Sequence, residues 1–252
     1  MRRLLLVLAL LLAAPRAQAA IAWVTAVRGS GGTGTSVSLP AFNAVSGNCI
    51  VAYISGDTPT SVTDTAGNSY TQAVAHQGAW IMSAWVAKSI TANASNVVTF
   101  NFAVSSPGSS LAALQYSGVD TTAPVDVTAE GSASATTSIT SGAFVPTAGG
   151  ETVVAFASPA SGPPTWTQGT NYTIRLGNSG QSWENWVAAE DYIGAGSGSQ
   201  TAAFTYTPSA SAGMVVLTLV PASAGGGGGG TSGMSGFFGV LDHRFGASPW
   251  RS

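Results

Sequence analysis

The chain has 252 residues, of which only 7% are charged, with 32 glycines and a single cysteine. Eight basic residues against ten acidic ones leave no basic stripe that could track phosphates, which argues against nucleic acid and anionic membrane surfaces as partners. The lone Cys49 excludes an intrachain disulfide, so an exported form of this chain must hold by packing alone.

The first segment is Arg2-Arg3, an apolar run over 4–14, Pro15 and the small-residue pattern Ala17-Gln18-Ala19. It reads as a secretory signal peptide, residues 1–19, cleaved after Ala19. The apolar run is about half the ~20 residues that a membrane-spanning helix needs. After cleavage five basic residues, Arg28, Lys88, Arg175, Arg244 and Arg251, face ten acidic ones. The expected location is secreted or cell-surface, with no transmembrane segment left.

From residue 20 onward the apolar pattern has period two, the mark of strands that bury one face. In the segment 98–104, Val98, Phe100, Phe102 and Val104 point one way while Thr99 and Asn101 point the other. Near-continuous apolar runs at 50–54 and 214–220 read as central strands. Strands are predicted near 21–27, 35–42, 48–55, 70–76, 80–87, 97–104 and 110–117, separated by turn-forming residues.

The same pattern then returns at an offset of about 103. Ile50-Val51-Ala52-Tyr53-Ile54-Ser55 reappears as Val153-Val154-Ala155-Phe156-Ala157-Ser158, and Phe100 returns as Phe204. Trp80 and Trp85 align with Trp183 and Trp186. A unit of about 100 residues can bury its own core. The expectation is an all-β chain of two seven-stranded antiparallel β-sandwich repeats, 20–123 and 124–224. They would be tandem immunoglobulin-like or jelly-roll sandwiches, or one continuous fourteen-stranded sandwich.

A run of six glycines, 225–230, forms a flexible linker. In the tail, 231–252, Met234, Phe237, Phe238, Leu241 and Phe245 recur at helical spacing and would form one apolar stripe. A disordered terminus or a peptide that docks on a cell-surface partner or on a second copy are the two readings of this segment.

Chemistry is sparse. Gly177-Asn178-Ser179-Gly180 resembles a serine-protease nucleophile turn, with His76 and Asp120 or Asp126 in matching chain order. Glycine and serine are so common here that the tetrapeptide carries little weight. The segment 183–192 holds Trp183, Glu184, Trp186, Glu190, Asp191 and Tyr192. On an unbroken strand Glu184, Trp186, Glu190 and Tyr192 share a face, a pattern suited to weak sugar binding. The two glutamates would stand about 20 Å apart, too far for a glycosidase acid pair at roughly 5 to 9.5 Å. Asp57 and Asp64 offer oxygen ligands for calcium, although turn chemistry accounts for Asp64 and Gly67 without a metal. No other cofactor is expected. Cys49 sits among apolar neighbours and reads as an inert buried thiol.

Val62-Thr63-Asp64-Thr65-Ala66-Gly67-Asn68-Ser69-Tyr70, Trp85-Val86-Ala87-Lys88, Tyr116-Ser117-Gly118-Val119-Asp120 and Pro124-Val125-Asp126 resemble segments of a widespread group of uncharacterised secreted bacterial β-sandwich proteins, over roughly residues 21–221. The resemblance implies a bacterial, extracellular protein and brings no catalytic residues. The expected function is therefore a non-enzymatic structural or adhesive role at the surface. A carbohydrate-binding module and an extracellular hydrolase are the alternatives.

Overall fold

The computed structural model describes residues 18–77, 80–106, 108–162, 164–177 and 186–223. Among them the chain is all-β, with antiparallel pairing throughout and no helix. The first part of the chain forms β1 (Ala22–Gly31), β2 (Gly34–Ser38), β3 (Phe42–Ala44), β4 (Cys49–Ser55), β5 (Ser61–Asp64), β6 (Thr71–Gln77), β7 (Ile81–Ala87), β8 (Asn93–Asn96), β9 (Val98–Ser106) and β10 (Ser109–Ser117). The second forms β11 (Val125–Thr140), β12 (Glu151–Pro159), β13 (Thr165–Thr167), β14 (Thr173–Leu176), β15 (Ala188–Ala195) and β16 (Ala203–Leu219).

All seven segments predicted for the first part carry a strand. Three short strands, β3, β5 and β8, add to them. Among the described residues the second part has six strands, partly because β11 and β16 each run without interruption through a stretch that the first part divides between two strands. Gly131 makes this crossing close. A Cβ there would lie 2.0 Å from the Thr140 carbonyl oxygen, so only glycine lets the end of β11 approach its middle.

The sheets stack in layers. A five-stranded sheet has the order β1-β10-β4-β7-β6, and a three-stranded sheet has the order β2-β9-β5. Between them lies a core of Ile50, Ile54, Trp85, Leu111, Val62 and Phe100 with their neighbours. The second part forms a sheet in the order β11-β16-β12-β15-β14, with β13 paired to the start of β16. Its own core holds Ala155, Trp166, Phe204, Tyr206 and Val216. Phe100 and Phe204 are both fully buried, as the period-two reading requires. Val104 departs from that reading at 71% exposure. It lies beyond Asn101, the last residue of β9 that β5 pairs, and so has no facing layer.

A third core joins the two parts. Val51, Tyr53, Ala84 and Leu114 from the five-stranded sheet meet Val154, Phe156, Ala189 and Leu217 from the other. This explains why β4 and β12 are apolar at nearly every position: each is covered on both faces. The Tyr53 and Phe156 rings stack 4.8 Å apart at 5°, and Ser55 Oγ donates to Ser158 Oγ at 3.0 Å. Both pairs are 103 residues apart in sequence. The strands that resemble one another thus lie face to face.

Candidate functional site

β15 carries two adjacent acidic residues, Glu190 and Asp191, into the interior. Its alternation sends Ala189 and Asp191 toward the core between the two parts, and Ala188, Glu190 and Tyr192 toward the second part's own core. The alignment of Trp85 with Trp186 needs correction here. Trp85 pairs with Ala52, whereas Ala155, its equivalent 103 residues on, pairs with Glu190. A carboxyl therefore occupies the place of a buried indole.

Glu190 is fully buried, and its Oε2 accepts the Gly169 N–H at 2.9 Å. Burial raises its pKa to about 8 against the pull of the Gly169 and Ala203 backbone amides, so the carboxyl is protonated at neutral pH. Tyr192 is half-buried and packs edge-on to Tyr172, 5.7 Å between ring centres. Trp186 is half-buried at the far end of the β12 ladder, beside Trp80 and the Ser55–Ser158 pair. Glu184 lies outside the described residues. Of the residues grouped by a single-strand reading, Glu190 and Tyr192 do share a face of β15, but that face points inward, and Trp186 precedes the strand, which begins at Ala188.

Asp191 lies at the meeting of the two parts. Nε of Arg175 is 2.9 Å from both of its carboxylate oxygens, and Tyr116 Oη donates to Oδ2 at 3.0 Å. The Arg175 guanidinium also sits over the Trp23 ring, 4.7 Å from its centre. Burial lifts the Asp191 carboxyl above its ordinary value despite Arg175 and Tyr116. Composition gave no sign of this cluster. Its members come from four strands, and only the layer stacking brings them together.

The remaining polar residues hold loops. Asp64 accepts from Asn68 N and Nδ2, Tyr70 Oη and Asn96 Nδ2 at 2.8–3.0 Å, and the amide and hydroxyl donors hold its pKa below the ordinary value although burial opposes them. The Asp64-to-Tyr70 motif is thus a self-bonded turn, and its carboxylate faces donors. Asp57 Oδ1 accepts the Thr58 N–H, its own neighbour. Asp126 accepts from Thr147 N and Glu151 from Ala148 N, fixing one loop from two sides. Asp120 accepts from Thr122 and Ala123. His76 Nδ1 lies 2.8 Å from Glu130 Oε2, so the carboxylate beside this histidine is Glu130 and neither Asp120 nor Asp126. Ser179 lies outside the described residues, as do Met234, Phe237, Phe238, Leu241 and Phe245. Cys49 is buried, and burial pushes its thiol up to about 12, which disfavours the reactive thiolate. No family model, no curated protein and no solved structure matches the chain.

Proposed function

We propose that this is an exported, non-enzymatic structural or adhesive protein of the bacterial cell surface or extracellular space. In this reading it is a duplicated β-sandwich whose copies, 20–123 and 124–224, face each other across their apolar sheets. The observation that carries the reading is the use made of the polar groups. Asp64, Asp120, Asp126, Glu151 and Asp191 are each engaged in joining a turn, a loop or two layers, which suits a load-carrying scaffold. The facing of Tyr53 with Phe156 and of Ser55 with Ser158 supports the duplication. The N-terminal pattern of residues 1–19 supports export. The tail with Met234, Phe237, Phe238, Leu241 and Phe245 would dock on a surface partner or a second copy, the glycines acting as its tether.

Cell fractionation of the full chain and of a chain lacking 225–252 tests the proposal. Full-length protein beginning at Ala20 should be found outside the cytoplasm and retained at the surface, and the shortened chain should fold but be released. Cytoplasmic accumulation with an intact residue 1–19 would overturn the export reading. Equal retention of both forms would remove the tail from it. Turnover of an ester or glycoside by the pure protein would overturn the non-enzymatic assignment.

A further inference from the structure

The corner filled by Asp191, Arg175, Trp23 and Tyr116 has a counterpart in the other part of the molecule. Thr71 pairs with Val86 before an irregularity between Gln72 and Val74, and Thr173 pairs with Asp191 before one between Ile174 and Leu176. Val86 therefore stands where Asp191 does, and Ala73 stands where Arg175 does. Trp23 pairs with Tyr116 and Val125 pairs with Leu219, so Val125 and Leu219 replace the indole and the phenol. At one corner four large or polar groups fill the space. At the other, Ala73, Val86 and Val125 border a cavity of about 600 Å³, within the range of small-molecule sites, with Leu219 buried in the core behind them.

The cavity has a two-sided chemistry. Ala73, Val86 and Val125 give it an apolar floor, while Asn68, Gln72 and Lys88 stand around it. Lys88 is the one charged residue among the described lining. Its ammonium donates to the Thr122 carbonyl, which uses one of three protons and fixes the group at the mouth. The filled corner indicates the shape that such a space accepts: a flat indole-sized ring laid against the sheet. Its charge is different: Val86 replaces the carboxylate of Asp191, and the lining carries Lys88, with the Asp120 carboxylate near that ammonium but outside the lining. A pyranose is disfavoured, since the described lining supplies no aromatic ring to stack on it.

The geometry points to a binding site for a small planar aromatic acid, its ring on Ala73, Val86 and Val125 and its carboxylate at Lys88. This inference does not depend on the adhesive role proposed above. The test is a titration of the full chain with indole-3-acetate, followed by amide and methyl NMR. Saturable binding with shifts centred on Asn68, Gln72, Ala73, Val86 and Lys88 is expected. Val125→Trp supplies the ring from the protein, as Trp23 does at the other corner, and should weaken binding at least about tenfold. Lys88→Met should weaken indole-3-acetate by about tenfold while leaving the neutral amide, indole-3-acetamide, unchanged. Absence of saturable binding to the wild-type chain at ~10 mM would overturn the site. So would shifts centred elsewhere, or equal loss of acid and amide in Lys88→Met.

Discussion

The two parts of the molecule share a frame but differ in what fills it. The faces that meet between them are matched: Tyr53 with Phe156, Ser55 with Ser158, and Leu114 beside Leu217 in one core. Away from that contact the matching lapses. Buried Trp85 fills the first part's core, whereas its ladder equivalent in the second part is the buried Glu190, with Trp166 of β13 in the same core. One outer corner is closed by Arg175 and Asp191, and its counterpart is open. Residues at the shared contact are constrained by both parts at once, while an outer core or corner answers only to its own layer. A change there is absorbed locally, and this is where the two parts differ.

The comparison can be broken first in the outer cores. Phe100→Ala and Phe204→Ala should each cost about 3–5 kcal/mol, since both rings are fully buried in equivalent places. Denaturant titration of the two variants side by side would show it, and a large difference between them would mean that the cores are not equivalent. Next comes the closed corner. Arg175→Met leaves Asp191 buried without its cation and should cost about 3 kcal/mol, near the lower end for a broken buried pair because the carboxyl can take up a proton. Ala73→Arg at the open corner should cost far less in the same assay, since the cavity admits the side chain.

Glu190 sharpens the comparison through pH. Its folded pKa of about 8 lies above the ordinary carboxylate value, so the folded state holds a proton that the unfolded state has released. Stability from this group is present at low pH and declines as pH rises from about 5 toward 8, by up to about 1.4 kcal/mol per pH unit. Glu190→Gln, which keeps an acceptor for Gly169, should flatten that slope in melts run from pH 5 to 9. An unchanged slope would show that Glu190 is already ionised. A further effect is expected at the first part's turn. Asp64→Ala strips acceptors from Asn68, Tyr70 and Asn96 and should cost about 1–3 kcal/mol.

Much of the frame was legible because period-two alternation and the offset of 103 are local and repeated signals. Phe100, Phe204 and the runs at 50–54 and 214–220 declared their burial directly. The run at 50–54 read as a central strand, but that a second sheet covers its other face was not read from it. What the sequence did not show is non-local. Trp186 looked like the partner of Trp85 because both are tryptophans, while ladder register assigns that place to a glutamate. Glu190 and Tyr192 looked like an outer face, since the alternation of β15 does not reveal that both of its sides are covered. Arg175, Asp191, Tyr116 and Trp23 carried no common signal, being scattered over four strands that only layer stacking unites.

Equivalent strands of the two parts, β4 and β12, face each other, and a crosslink between them probes that contact without intermediaries. Ser55 and Ser158 oxygens lie 3.0 Å apart, which brings the side chains near the Cβ separation of roughly 3.5–4.5 Å that a disulfide requires. In a Cys49→Ala background, Ser55→Cys with Ser158→Cys should close under mild oxidation to an intrachain bond. Mass spectrometry after denaturation and alkylation would then find a monomer with no modified thiol. Two alkylated thiols, or a bond formed only between chains, would contradict the facing of β4 and β12.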